Sequence, residues 1–185
     1  MTIQPGTPAP AFRTTDLAGT PIAPEDYAGR LLLLSFFRNG ACAICNLRVH
    51  QLIARYPTWQ RRGLAILAVF ESPRERLIET VATQGVPFPI IADPRGELYA
   101  LYGVENSAEK IARTMARPDL PATIQAAAEH GFRLTREEGS NFDRLPADFL
   151  IGPDGVVRRA HYADVVMDHL DFAAIEEALA APALA

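Results

Sequence analysis

Three short apolar runs, LLLLSFF at 31–37, LAILAVF at 64–70 and FPIIAD at 88–93, show no alternation of apolar and polar positions. Runs of that length, bounded by turn-forming residues, suit strands buried on both faces. Between the first two the period changes. Cys45, Val49, Leu52, Ile53 and Tyr56 fall at i, i+4, i+7, i+8 and i+11, one stripe of a helix that Pro57 helps to end. Ser72-Pro73-Arg74-Glu75 offers a capping box with proline at a first helical position, and Leu77, Ile78 and Val81 form the buried side of that helix. Asp93-Pro94 marks a further helix start before GELYALYGV. Strands and helices alternate, which predicts an α/β fold with a parallel-rich sheet covered by helices on both faces.

After Val104 the alternation stops for about forty residues, too long for a plain loop. Two short helices fit this stretch: one over 107–117 with Ile111 and Met115 inward, the other after Pro121 with Ile124 and Ala128 inward, ending at Gly131. The polar stretch TREEGSNFDR at 135–144 reads as mobile. ADFLIGPDGVVRRAHY then reads as a hairpin about a Pro-Asp-Gly turn, and Asp171 caps a last helix, FAAIEEALA. The pattern predicts one domain over 1–185 with a helical insertion at 105–145. The apolar faces of that insertion are too narrow for a core of its own, so it is expected to pack as a cover on the main domain or on a second subunit.

Composition narrows the function. With 49% hydrophobic residues in 185, a sizeable core is available, and a net charge of −4 leaves no basic surplus for nucleic acid or anionic membrane. Lys110 is the only lysine, and the arginines are scattered among acids, as on a solvated surface. The N-terminus lacks a basic segment followed by an apolar one, and no apolar run approaches membrane-spanning length, so a soluble, cytoplasmic protein is expected. The only two cysteines, Cys42 and Cys45, stand in FFRNGACAICN, directly after the most apolar run. One pair cannot be a disulfide scaffold for a chain this size, and in a reducing compartment a CxxC pair points to catalysis or metal binding.

The start of a helix favours a thiolate through its dipole and its unpaired N–H groups. Cys42 falls outside the apolar stripe and Cys45 begins it, which predicts an exposed first thiol and a buried second, as suits an attacking and a resolving sulfur. Side chains three apart on a helix have Cβ atoms about 5–6 Å apart and a disulfide wants about 3.5–4.5 Å, an adjustment that a first turn can make. Arg38, Arg48 and His50 are candidates to stabilise the thiolate. Two rival readings are a pair of core cysteines and half a metal site with His50, although His130, His161 and His169 are dispersed.

The segments PGTPAPAFRTTDLAGTPIAPEDYAGRLLLLSFFRNGACAICNLRVHQL, FPIIADPRGELYALYGV and LPADFLIGPDGVVRRAHY resemble, in order, the peroxiredoxin-like branch of the alkyl hydroperoxide reductase/thiol-specific antioxidant (AhpC/TSA) group. The resemblance implies a thioredoxin-like fold, a central mixed sheet with helices on both faces, interrupted here by the helical insertion. It departs from the family motif PxxxTxxC: Arg38 takes the proline position, Cys42 the threonine and Cys45 the peroxidatic cysteine. Pro146 stands closest to where the family keeps an activating arginine, as in thioredoxin-like proteins, where a cis-proline faces the CxxC; Arg144 is close enough in sequence to reach inward. The resemblance thus implies catalytic roles for Cys42, Cys45, Arg38 and Pro146, a cis Leu145–Pro146 bond, and no cofactor. It leaves two assignments open: Cys45 attacking a hydroperoxide with Cys42 resolving, or Cys42 attacking a disulfide with Cys45 resolving. The implied function is hydroperoxide reduction recycled by an external thiol donor such as a thioredoxin or glutathione system, with room for a homodimer. The alternatives are a dithiol-disulfide oxidoreductase and a non-enzymatic binding protein that uses the insertion as an interaction arm.

Overall fold

The computed structural model describes residues 2–135 and 138–180. Strands β1 (Thr14–Thr15) and β2 (Pro21–Ile22) form a small antiparallel ribbon. There follow β3 (Leu31–Phe36), α1 (Ala43–Arg61), β4 (Leu64–Phe70), α2 (Arg74–Glu79), β5 (Ile90–Ala92), α3 (Glu97–Leu101), α4 (Ala108–Met115), α5 (Leu120–Glu129), β6 (Ala147–Ile151), β7 (Val157–Tyr162) and α6 (Phe172–Ala180). The main sheet has the order β5-β4-β3-β6-β7. β3 and β5 run parallel to β4, while β6 runs antiparallel to β3 and β7 antiparallel to β6. A mixed sheet of this kind needs helical crossovers between its parallel strands, and α1 and α2 supply them.

The unalternating runs are the central strands. Leu33, Ile66, Ala68 and Phe70 pack on one face with Cys45, Val49, Leu52 and Trp59 of α1 and Ile175 of α6. Leu32, Leu34, Phe36, Leu67 and Val69 pack on the other with Tyr99 of α3, Tyr102, Phe12 and Ile22. Burial on both faces explains why no polar position interrupts these strands; each such large side chain contributes about 1.5–3 kcal/mol relative to exposure. No described helix is long and apolar enough to cross a membrane.

Several local expectations give way to packing. Pro57 does not end α1 but lies inside it, and the helix runs on to Arg61 before Gly63 turns the chain at φ +91. An internal proline costs about 3 kcal/mol, and the next turn offsets it by burying Trp59, whose indole N–H donates to Glu176 of α6. The capping box at Ser72 is absent: Pro73 is the cap of α2, and the Ser72 hydroxyl accepts from Gly40 N at 3.0 Å. Ile78 is exposed, because α2 is short and the chain tightens into a 3₁₀ turn at Val81–Gln84.

In the insertion, Ile111 is buried, but Met115 is 66% exposed and Thr114 takes the inward place. Ala127, not Ala128, is the buried alanine of α5. Both shifts of one residue arise because these helices pack on single contacts rather than along a wide stripe. Thr114 Oγ1 accepts from Val166 N at 3.0 Å, and Ala127 meets Ala43 and Leu47 of α1. Within the polar stretch, Arg136 and Glu137 lie outside the described residues, while Asn141 and Arg144 beyond them are bonded to Asn106 and Glu71.

Candidate functional site

The loop from β3 to α1 is held by hydrogen bonds on every side. The Tyr99 hydroxyl lies 2.6 Å from Phe37 O and 3.1 Å from Val69 O, and Glu71 N donates to Arg38 O at 2.9 Å. The Asn46 amide donates to Gly40 O at 2.9 Å and to Cys42 O at 3.0 Å, and Gln84 Nε2 holds Asn46 Oδ1 at 2.8 Å. A Cβ at position 40 would stand 2.6 Å from Thr80 Oγ1, so any larger residue there would have to push Thr80 aside.

This loop delivers Cys42 to the N-cap of α1. Its sulfur accepts from Cys45 N at 3.3 Å and from the Cys45 thiol, the two sulfurs lying 2.7 Å apart as free cysteines. The two thiols are driven in opposite directions. The hydrogen bond from Cys45 outweighs burial and, with the Arg38 charge and the N–H groups of Cys45 and Ile44, lowers Cys42 to about 7. Burial, together with the bond to Cys42 and its negative charge, pushes Cys45 well above the ordinary thiol range. Around neutral pH the first proton to leave the pair is therefore that of Cys42, and Cys45 keeps its own.

The expected contrast in exposure is absent: Cys42 is 2% exposed and Cys45 1%. The apolar stripe identifies only the face of α1 turned to the sheet. Its opposite face is covered by α5 through Ala43, Leu47 and Ala127, and Thr135 N reaches Ala41 O at 3.4 Å.

Among the charged candidates only Arg38 acts on the thiols. It is buried, with Nη2 donating to Phe142 O at 2.6 Å, its guanidinium 4.7 Å from the Phe142 ring, and Nε without a partner among the described residues. Arg48 instead donates to Leu170 O at 2.5 Å and lies over the Phe172 ring, and His50 packs against His130 with ring centroids 4.3 Å apart and the rings tilted by 36°. Arg144 reaches inward, but to Glu71, which clamps it at 2.7 and 2.9 Å, and to Val104 O rather than to the thiols. Pro146 is buried, and because Ala147 pairs with Phe36 it lies at the end of β3 from which the cysteine loop departs. The Leu145–Pro146 bond is trans, as no described peptide is cis. Leu145 N bonds Glu105 O at 3.2 Å and Ala163 N bonds Pro146 O at 3.2 Å, so the chain enters β6 extended, and the intrinsic trans preference of an X-Pro bond stands.

A buried polar network under α1 was not foreseen from the sequence. Asp148 of β6 accepts from Ser35 Oγ, its partner across β3, from Leu170 N at 2.7 Å, and from His169 Nδ1 at 3.0 Å. Burial alone would raise this carboxyl, but His169, Arg48 and Ser35 together hold it well below the usual carboxylate range. The visible signal was an aspartate inside the apolar run ADFLI. Its folded pKa is depressed, so its contribution is complete above the unfolded value of about 3.9 and is lost as pH falls towards the folded value. Asp148→Asn is expected to cost about 3–5 kcal/mol at pH 7, and less as the pH is lowered below about 4. Urea denaturation across pH checks this; a loss independent of pH would assign Asp148 a purely steric role.

The AhpC/TSA family pattern matches residues 5–160. A Mycobacterium tuberculosis protein named as a peroxiredoxin is 24% identical over 113 residues, covering 61% of this chain and 72% of its own. The thiol-disulfide oxidoreductase ResA of Geobacillus thermodenitrificans is 32% identical over 100 residues, 54% of this chain and 57% of its own. The crystal structure of peroxidoxin BcpB from Mycobacterium tuberculosis superposes with a TM-score of 0.66 at 15% identity, covering 96% of this chain and 95% of the other, and thereby shares its thioredoxin-like fold. With the family pattern running from before β1 into β7 and both cysteines inside it, the chain belongs to the AhpC/TSA family.

Proposed function

We propose that the chain is a thiol-dependent oxidoreductase that reduces small hydroperoxides, with Cys42 attacking and Cys45 resolving. The observation that carries this is the polarised pair: a thiolate favoured at the helix cap and a protonated thiol bonded to it. The Cys42 thiolate attacks the terminal peroxide oxygen, the O–O bond breaks, and the alkoxide leaves with a proton to give the alcohol. The Arg38 guanidinium, whose charge already bears on Cys42, suits the oxygen that gains charge. Once Cys42 is a neutral sulfenic acid, its charge and its hydrogen bond no longer suppress ionisation of Cys45. Cys45 then attacks the Cys42 sulfur and releases water, so two thiols and one hydroperoxide yield a disulfide, an alcohol and water.

This order reverses the one in which Cys45, at the position matching the family's peroxidatic cysteine, attacks first. The second reading, dithiol-disulfide exchange on proteins, is favoured by the CxxC spacing and by the similarity to ResA. Against it stands the burial of Cys42: a peroxide can reach a nearly covered sulfur, whereas a protein disulfide must lie flat on it. The insertion at 105–145 serves in this reading as the cover of a site for small reactants, in a chain acting as one unit in the cytoplasm. The test is mass spectrometry after one equivalent of hydrogen peroxide. The expected product is a monomer two hydrogens lighter whose peptide map joins Cys42 to Cys45. Free thiols, or a bridge between chains, would defeat the mechanism.

A further inference from the structure

We propose that Phe142 is a positioning residue of the redox site: its backbone carbonyl and its ring together hold the Arg38 guanidinium beside the cysteine pair. This rests on the redox reading above and says what keeps its arginine in place. Arg38 stands where the family motif has a proline, so its support is particular to this chain.

Arg38 is 6% exposed, and no carboxylate pairs with it among the described residues. A guanidinium taken out of water needs acceptors for its N–H groups. Nη2 donates to Phe142 O at 2.6 Å, and the guanidinium carbon lies 4.7 Å from the centre of the Phe142 ring, within cation–π range. One residue thus supplies both the acceptor and the π face. Neither is charged, so they fix the guanidinium without cancelling the field that bears on both thiols. Glu71 is close enough for its N–H to bond Arg38 O at 2.9 Å, but Arg144 holds its carboxylate at 2.7 and 2.9 Å.

The Phe142 side chain is 50% exposed, so burial of apolar surface does not account for its place. Its backbone is fixed from both sides. Asn141 Nδ2 donates to Asn106 Oδ1 at 2.7 Å and to Glu71 Oε1 at 3.3 Å, and Asp143 O accepts from Ser107 N at 2.8 Å. These bonds hold the carbonyl on Arg38. Without the ring the guanidinium loses one of its two holds and turns towards water, where its charge is screened. Around Cys42 the other groups are accounted for: α1 brings Cys45, the Glu71–Arg144 pair adjoins Arg38 with its charges matched, and α5 meets this end of α1 through Ala127. The end of the insertion thereby sets the charge felt by the thiols at the start of α1.

The test is the rate of Cys42 alkylation by iodoacetamide from about pH 5.5 to about 9, with peptide mapping to assign the modified thiol and no peroxide present. The midpoint reports ionisation, whereas the plateau also reports access. Phe142→Leu keeps apolar bulk but lacks the ring face. It is expected to raise the midpoint from about 7 to about 7.5, lowering the rate at pH 7 about twofold relative to its own plateau. Phe142→Tyr, which keeps the ring, should match wild type. In an Arg38→Gln background, Phe142→Leu should add no further shift. An unmoved midpoint in Phe142→Leu, or a shift that persists in full without Arg38, would overturn the proposal. So would an equal loss of melting temperature in the Leu and Tyr variants with no difference in midpoint, which makes the ring structural only. A midpoint that moves as stated in a protein that ignores peroxide upholds the inference and sinks only the peroxidase reading. Peroxide reduction with an unmoved midpoint does the reverse.

Discussion

Cys42→Ser is expected to lower steady-state hydroperoxide reduction by at least about 10³-fold, because a serine hydroxyl does not ionise near neutrality and cannot replace the thiolate. Cys45→Ser should keep the first step, consume one equivalent of peroxide per chain, and stop with a sulfenic acid that dimedone traps. If Cys45 were the attacking residue, the two variants would exchange behaviours. Because Cys42 is lowered to about 7, its thiolate fraction is about one half at pH 7 and about a tenth at pH 6. The rate with wild-type protein should therefore rise with pH through a midpoint near 7 and level off above about 8. Arg38→Gln moves that midpoint upward, since the guanidinium is one cause of the lowering. A wild-type midpoint above 8, unmoved by the substitution, would refute the assignment of both residues.

Arg144→Met is expected to cost about 3–5 kcal/mol, the usual penalty for stranding one partner of a buried ion pair. Arg144 and Glu71 are 8% and 11% exposed, and the arginine also donates to Val104 O at 2.6 Å and stacks on the Tyr99 ring. Val104 lies just before the insertion and Arg144 at its end, so this side chain ties the two ends together. Ser107 N to Asp143 O at 2.8 Å and the bridge between Asn106 and Arg144 complete the tie. Urea denaturation should show the loss, partly restored in the double variant Glu71→Gln/Arg144→Met, where no charge is left unpaired. Limited proteolysis of the single variant should cut within the insertion faster than in wild type. Equal stability of the single and double variants would mean that the pair is not the source of the effect.

Particular residues show what was legible in advance. The central strands could be read because Leu32 to Phe36 and Leu64 to Phe70 are buried on both faces, which leaves nothing to alternate. The stripe from Cys45 to Tyr56 was legible because α1 turns one face to the sheet along its length. Met115, Ala128 and Ile78 were misplaced because short helices held by single contacts carry too few residues for a period to register. Asp148 could be seen as an anomaly in an apolar strand, but Ser35, His169 and Arg48 come from three other parts of the chain, and no local pattern links them.

By itself the sequence determined the α/β alternation, the position of the cysteine pair at a strand-to-helix junction and the two helices after Val104, because each depends on residues close to one another along the chain. Tertiary structure alone decided that both cysteines are covered, that their surroundings lower Cys42 and raise Cys45, that Glu71 clamps Arg144, and that the Arg38 charge, rather than Arg48 or His50, bears on both thiols. These outcomes depend on distances between segments remote in sequence. Burial, charge and hydrogen bonding over a few ångströms set the ionisation of a thiol, and only the folded chain specifies those distances.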